Sequence, residues 1–394
     1  MTSIRKRAWT APTGEEKTAW LVDYKDSAGK RRAKTFARKK DAEAWLTKAA
    51  YDVSQGVHTA DSQSITMEKA GELWLKRAKR ENLETSTYNA YEQHVRLHIN
   101  PMCGDKKLSQ LSKPIVEGYR DQLMERLSRP MALRVLRSLT SIIDGAQSAG
   151  YVAQNVASSV KVRRSKREKP QITIPTKDEL RTLIAAAKEL EEGRVLPLVL
   201  IATFAGLRAS EMRGLCWRHI DFKAASVTVS QRADLKNIIG PPKSEAGNRT
   251  IPLPPSVVQA LREWKLACPK SDEDLVFPSI AKKVMTHRFM LMNVMAPLQV
   301  GAGVHDVGTD KGGQPVKLAR YTMHDFRHAA ASLWIEQRVN PKRVQRWMGH
   351  SSIQVTFDVY GHLFDQADED GEVAAAVERE IFGKPDATQM QHGA

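Results

Sequence analysis

The sequence predicts a multidomain fold: a small α+β sheet-plus-helix module, then an all-α bundle, then a mainly α domain with a small antiparallel sheet. Three observations lead there. At 394 residues the chain exceeds one ordinary domain. Its apolar pattern changes from short alternating runs near the N-terminus to helical spacing beyond residue 65, and strand-like runs return only around residues 226–253. A basic stretch with little apolar content, residues 161–170 (KVRRSKREKP), divides the helical region from the C-terminal half of the chain. With 41% hydrophobic and 27% charged residues, the composition is that of a globular protein and argues against a disordered or fibrous chain.

In order along the chain, residues 19–24 (AWLVDY) and 32–36 (RAKTF) have strand character and join through Ser27, Ala28 and Gly29. Residues 39–55 then place Ala42, Trp45, Leu46, Ala49 and Val53 at helical spacing. Basic side chains crowd this module at Arg5–Arg7, Lys30–Arg32, Lys34 and Arg38–Lys40, which favours a nucleic-acid-binding surface over a merely solvated face. After a polar link at 59–64, residues 65–160 are helical only. Apolar stripes such as Leu73/Trp74, Tyr88/Tyr91/Val95, Ile115/Val116/Tyr119/Leu123 and Leu133/Leu136/Ile143 are broken at 101–104 (PMCG), 112–114 (SKP) and Gly150. Past the basic stretch, Thr176 and Glu179 form a capping box, and residues 196–204 make a buried helix. Residues 226–229 and 249–253 flank a loop containing Gly240, Pro241, Pro242 and Gly247, as a hairpin would. From residue 254 onward every segment reads as helix: 254–268, 285–298, 324–337, 341–348 behind an Asn340 cap, and 352–360.

Lys+Arg 61 against Asp+Glu 45 leaves a net charge of +16, an excess suited to a polyanion such as nucleic acid or an anionic membrane surface. The longest apolar run, 196–207 (LPLVLIATFAGL), contains a proline and falls short of the ~20 residues of a spanning helix. The N-terminus has basic residues with no apolar segment behind them, so no secretory signal is expected. Cys103, Cys216 and Cys268 are odd in number and lack ligand spacing, which predicts neither a disulfide framework nor structural zinc and fits a reducing cytoplasm.

Six polar residues in the last region answer one chemical problem together. Arg208 follows the buried helix, Lys243 belongs to the tip region of the hairpin, His324 and Arg327 are one helical turn apart, His350 follows a glycine, and Tyr360 comes ten positions later. Singly each has an ordinary structural explanation. As a set they can break a phosphodiester without metal or water. A tyrosine hydroxyl attacks phosphorus and stores the bond as phosphotyrosine. Two arginines grip the non-bridging oxygens. A lysine protonates the leaving oxygen, and a histidine moves the phenolic proton.

On these residues the sequence resembles the tyrosine recombinase (lambda-integrase-like) family. The matching text is residues 205–211 (AGLRASE), Lys243-Ser244 followed by 249–253 (RTIPL), 324–328 (HDFRH), 348–350 (MGH) and Tyr360, in the family's order and spacing. The resemblance implies Arg208 and Arg327 as phosphate-clamping arginines, Lys243 as general acid and His324 as the proton-transfer histidine. It makes His350 the second transition-state donor, Tyr360 the nucleophile and Glu211 a supporting residue. It further implies an arm-type DNA-binding module at 1–60, a SAM-like core-binding domain at 65–160, and an interdomain linker at 161–171. A catalytic domain of the DNA breaking-rejoining fold would occupy 172–364. In the tail at 365–394, Val373, Val377 and Ile381 form an apolar stripe expected to dock on a neighbouring subunit.

The implied activity is integration and excision of a phage or mobile element through a 3′-phosphotyrosine and a Holliday junction. The implied partners are double-stranded DNA at core and arm attachment sites and a homotetramer assembled on it, with room for an excisionase and a host DNA-bending protein. No cofactor, metal or membrane is expected. A type IB topoisomerase would use similar chemistry, but His324 and the N-terminal module favour the recombinase. A chromosome-dimer resolvase usually lacks such a module. A non-cleaving DNA-binding regulator would not need the complete set, and a metal nuclease would need carboxylates at ligand spacing beside His324, His328 and His350.

Overall fold

In the computed structural model, which describes residues 2–26, 29–162, 173–190, 193–310, 312–364 and 380, the chain divides into two units, Met1–Lys169 and Pro170–Ala394. Most of the expected linker (163–171) and all of the expected tail except Glu380 lie outside the described residues.

The first unit opens with an antiparallel sheet of β1 (Ser3–Thr10), β2 (Glu16–Lys25) and β3 (Arg31–Phe36), in that order. Helix α1 (Lys39–Ser54) packs on it, burying Ala42 and Ala49 and setting Trp45 edge-on to Tyr24 at 5.0 Å. Strand β1 goes beyond the sequence reading, which recognises only two strands here. Nearly every β1 side chain is exposed, so the strand has no apolar alternation and is held by backbone pairing to β2.

The helical part comprises α2 (Met67–Arg80), α3 (Thr85–Gln93), α4 (Asn100–Cys103), α5 (Lys113–Arg126) and α6 (Arg129–Ser148). A π-helical stretch, His94–Ile99, joins α3 to α4. Its core gathers Met67, Ile99, Leu108, Val116, Leu139 and Ile142. Leu73 and Ile115, expected in apolar stripes, face solvent instead.

In the second unit, Thr176 starts α7 (Lys177–Glu189) through the expected reciprocal cap, Thr176 N donating to Glu179 Oε2 at 2.8 Å and Glu179 N to Thr176 Oγ1 at 3.2 Å. Helix α8 (Val195–Phe204) is buried on nearly every side and forms the centre of the larger core. After α9 (Ala209–Arg213) comes a sheet of β4 (Ile220–Asp221), β5 (Ser226–Val229) and β8 (Arg249–Pro252). Strands β5 and β8 pair antiparallel as expected, and between them a second ladder forms from β6 (Arg232–Ala233) and β7 (Ile239–Gly240).

Helix α10 (Pro255–Ala267) follows where the sequence predicts it, and two expectations for the remainder need correction. Residues 285–298 are not one helix: α11 (His287–Phe289) passes through a π-helical stretch, Met290–Met295, into α12 (Ala296–Gly301). And the chain is not helical throughout, because β9 (His305–Thr309) and β10 (Pro315–Ala319) form an antiparallel hairpin. None of its residues is buried, so no alternating core face marks it in the sequence. Helices α13 (Met323–Glu336), α14 (Pro341–Met348) and α15 (Ile353–Phe364) then enclose a smaller core of Ala331, Ile335, Val344, Met348 and Tyr360. Among the described residues no helix is long and apolar enough to cross a membrane.

Candidate active site

The site is assembled around the ends of α8, α13 and α14. Beyond α8 the chain turns through Gly206, whose φ of +57° and close approach to Ala330 both favour glycine. Arg208 then caps α9. Its backbone N donates to Glu211 Oε2 at 2.8 Å and its Nη1 to Glu211 Oε1 at 2.8 Å. The other side of the same carboxylate faces Arg249, the first residue of β8, whose Nη1 and Nη2 donate to Oε1 and Oε2 at 3.0 and 2.7 Å. Glu211 and Arg249 are both buried, and Arg249 also donates to Trp347 O at 2.6 Å and Gly247 O at 2.9 Å. Burial alone would raise the Glu211 carboxyl; the Arg249 bonds and charge, with Arg327 and Arg208 behind them, hold it at about 2.

Helix α13 begins with a second reciprocal cap, Thr322 N donating to Asp325 Oδ2 at 2.7 Å. This fixes the first turn, so His324 is exposed, Arg327 points into the protein and His328 is half-buried. Arg327 Nη1 donates to Gly206 O at 2.6 Å, and its Nη2 donates to Met348 O. Helix α14 ends on Gly349 in the left-handed region (φ +62°), closed by His350 N donating to Gln345 O at 3.1 Å and Gly349 N to Arg346 O at 3.0 Å. Arg208 Nη2 donates to Gly349 O at 3.1 Å. The two arginines therefore hold consecutive carbonyls of the turn that presents His350. On α15, Thr356 and Tyr360 share one inward face: Thr356 Oγ1 is hydrogen-bonded to His350 Nδ1 at 2.9 Å, and the Tyr360 hydroxyl to His328 Nδ1 at 2.6 Å.

Partial desolvation and the charges of Arg327 and Arg208 lower His324, and burial lowers His328 and His350 to about 4, with neighbouring positive or histidine side chains adding to the effect. It pushes the Tyr360 phenol above its ordinary value despite the opposing charge of Arg327. Arg327 is itself lowered by burial and by Arg208 beside it. Arg208 keeps over a third of its side chain exposed, whereas Arg327 is enclosed.

Of the six expected residues, Arg208, Arg327, His350 and Tyr360 are tied together through these contacts, and His324 reaches the group edge-on to His328, ring centroids 4.7 Å apart. Lys243 lies exposed on the return limb after β7 and not at the hairpin tip, just before the 3₁₀ turn Glu245–Gly247. That turn brings Ala246 O against Gly349 and Gly247 O to Arg249. The β6–β7 turn is anchored by buried Arg213, which donates to Met285 O at 2.6 Å, Asp234 O at 3.1 Å and the Asn237 side chain.

Two residues carry more than the sequence reading assigns them. Arg249 alternates with Ile251 on the buried face of β8, and a charged residue on an inward strand phase is a usable signal. His328 is next to Arg327 and shares a helix face with His324, yet which histidine meets the tyrosine depends on how α15 packs. Among the described residues no three His, Cys, Asp or Glu side chains form a group able to hold a metal ion.

Comparison with known proteins identifies the family and the fold. The Phage integrase family profile matches residues 174–367, and that of the Phage integrase, N-terminal SAM-like domain matches residues 66–124. A "Tyrosine recombinase XerC-like" protein of Caldanaerobacter subterraneus subsp. tengcongensis is 26% identical over 362 residues, covering 86% of this chain and 90% of its own length. Among solved structures, the Tn1549 transposon integrase in complex with a circular intermediate DNA superposes with a TM-score of 0.66 at 20% identity, over 79% of this chain and 100% of that one. A lambda integrase tetramer bound to a Holliday junction gives 0.55 at 16% identity, over 88% and 95%. The chain belongs to the phage integrase family of tyrosine recombinases, enzymes that cut and rejoin DNA at specific sites.

Proposed function

We propose that this recombinase integrates and excises a phage or other mobile element, with Tyr360 as the nucleophile that forms a 3′-phosphotyrosine. The observation that carries the assignment is the pairing of Arg208 and Arg327 with consecutive carbonyls of the Met348–Gly349 turn that presents His350, beside α15, on which the Tyr360 phenol is enclosed. Arg208, the exposed arginine, takes the non-bridging oxygens directly; Arg327 clamps and adds charge from beneath. His324 is the histidine that transfers the phenolic proton, and His350 is the second donor to the phosphate oxygens in the transition state. Lys243 protonates the departing 5′ oxygen. Glu211 and Arg249 hold Arg208 and the turn in place.

The substrate in this reading is double-stranded DNA at a core site, bound by residues 65–160 and 172–364, with residues 1–60 reading a separate arm site. The exposed Arg5 and Arg31 of the sheet and the net charge of +16 support that assignment. A tetramer on DNA is the proposed working assembly, with the 365–394 tail docking in trans. An excisionase and a DNA-bending protein are the proposed accessory factors.

Tyr360→Phe removes only the hydroxyl. It is expected to leave DNA binding nearly intact and abolish the covalent protein–DNA adduct, read on denaturing gels after incubation with a nicked core duplex in EDTA. An adduct formed by the variant, or an absolute need for Mg²⁺, overturns the reading.

A further inference from the structure

We infer that Arg213 is a positioning residue for Lys243: it fixes the β6–β7 hairpin from within the fold, so that the lysine meets the leaving 5′ oxygen from a braced limb and not from a free loop. The inference rests on the reading of Lys243 as general acid. Its basis is geometric. Arg213 is the last residue of α9, the short helix whose other end carries Arg208 and Glu211, and it is almost wholly enclosed. Its guanidinium donates to acceptors on two separate segments. One is Met285 O at 2.6 Å, on a fully buried residue just ahead of α11. The others belong to the β6–β7 turn: Asp234 O at 3.1 Å and Asn237 Oδ1. Burying a guanidinium is costly, and what its forked donors supply here is the placement of that turn.

The hairpin is stiff enough to pass the restraint on. Asp234 Oδ1 accepts from Lys236 N at 2.8 Å and from Ile238 N at 2.9 Å, and Asn237 takes the left-handed backbone (φ +64°) that closes the turn. Strand β6 lies against the end of the same helix: a Cβ at Gly214 would stand 2.8 Å from Ala233 N, and Gln231 Nε2 donates to Gly214 O at 2.7 Å. From β7 the chain reaches Lys243 through Pro241 and Pro242, whose rings fix φ at both residues. Pro242 in turn packs on Gly247 so closely that a Cβ has no room there, and Arg249 holds the Gly247 carbonyl at 2.9 Å. Lys243 therefore lies between two restraints, Arg213 acting through the hairpin and the Pro242–Gly247 contact. As the P–O5′ bond breaks, a proton passes from Lys243 Nζ to the 5′ oxygen, and a donor misplaced by about 1 Å can lose roughly 10²-fold in rate.

The test uses the full chain and a duplex isolated from a randomised pool by covalent capture on the wild-type protein, nicked so that the cut strand diffuses away. It compares a 5′-oxygen leaving group, which needs a proton, with a 5′-thio leaving group, which departs as thiolate without one. Arg213→Met keeps the length of the side chain and removes its donors. This variant is expected to bind the duplex as the wild type does, to slow adduct formation from the oxygen substrate by roughly 10²-fold, and to cleave the sulfur substrate at the wild-type rate. In a Lys243→Ala background it should slow the oxygen substrate no further, because both changes act on the same proton donor. Asn237→Gly keeps the left-handed turn, removes one acceptor of Arg213, and should show a smaller defect with the same rescue by sulfur. Equal slowing of both substrates by Arg213→Met, or a further loss in the Lys243→Ala background, makes Arg213 a residue of the fold alone and overturns the inference. If Arg213→Met fails to bind DNA, Asn237→Gly decides: a defect confined to the oxygen substrate supports the inference, while wild-type rates or equal slowing on both substrates overturn it. If the 5′-thio group does not rescue Lys243→Ala, the general-acid reading itself fails, whatever Arg213 does, and the inference fails with it.

Discussion

Among single residues, Glu211 shows how a supporting side chain governs the reacting ones. Its carboxylate lies between Arg208 and the fully enclosed Arg249, so removing its charge strands a buried guanidinium. Glu211→Gln preserves size and some hydrogen bonding, yet the loss of a buried partner is expected to cost about 3–5 kcal/mol at neutral pH. The pH dependence is set by the direction of the shift. A carboxyl held at about 2 when folded, against its ordinary 4.5, adds stability that is fully present above about pH 4.5 and disappears as the pH falls through about 2. Urea midpoints of the two proteins should therefore differ most above pH 5 and approach each other toward pH 3 and below. A gap independent of pH would mean that shape, not charge, is what Glu211 contributes.

The same logic extends to a whole element at the end of α14, where a single backbone conformation supports Arg208, Arg327 and His350. Gly349 adopts φ +62°, and a Cβ there would stand 2.9 Å from Ala246 O and 3.0 Å from Arg249 Nη1. Gly349→Ala is expected to destabilise the fold by about 1–3 kcal/mol through backbone strain and crowding. It should also lower adduct formation by more than that loss explains, since the Met348 and Gly349 carbonyls held by Arg327 and Arg208 would shift together with His350. Thermal unfolding and single-turnover cleavage on one preparation separate the two effects; wild-type cleavage by a destabilised variant would detach the turn from catalysis. The element scale also shows what a sequence can and cannot announce. The caps at Thr176 and Asn340, the apolar run of α8 and the pairing of β5 with β8 rest on local chemistry, and all were legible. Strand β1 and the β9–β10 hairpin bury almost nothing, so periodicity had nothing to report. The six candidate positions were visible through motif spacing. The Tyr360–His328 contact and the Arg249–Glu211 pair span 32 and 38 residues, and only packing creates them.

For the molecule as a whole, the question is how firmly the N-terminal sheet is coupled to the helical bundle behind it in the same unit. The sequence suggests a simple polar link at 59–64, but its side chains are fasteners. Asp61 accepts from Lys34 Nζ of β3 at 2.6 Å and from Ser109 Oγ of the bundle at 2.7 Å, while Lys107 Nζ donates to Asp61 O at 2.5 Å. Arg32 reaches Ser62 Oγ at 3.1 Å, and Ala153 N donates to Thr59 Oγ1 at 2.8 Å. Such a clasp ties the sheet to the bundle through side chains of the link itself. Because Asp61 and Lys34 each keep about a third of their side chains exposed, the pair is screened, and Asp61→Ala should cost only about 1–2 kcal/mol. Its larger effect should be on coupling. Hydrogen exchange in residues 3–54 is expected to accelerate selectively while residues 67–148 retain their protection, and a Lys34→Met, Asp61→Ala double-mutant cycle should show a favourable interaction between the two side chains. Uniform exchange rates in the variant, equal to those of the wild type, would mean that apolar contacts around Trp45 and Tyr24 hold the sheet in place and that Asp61 merely accompanies them.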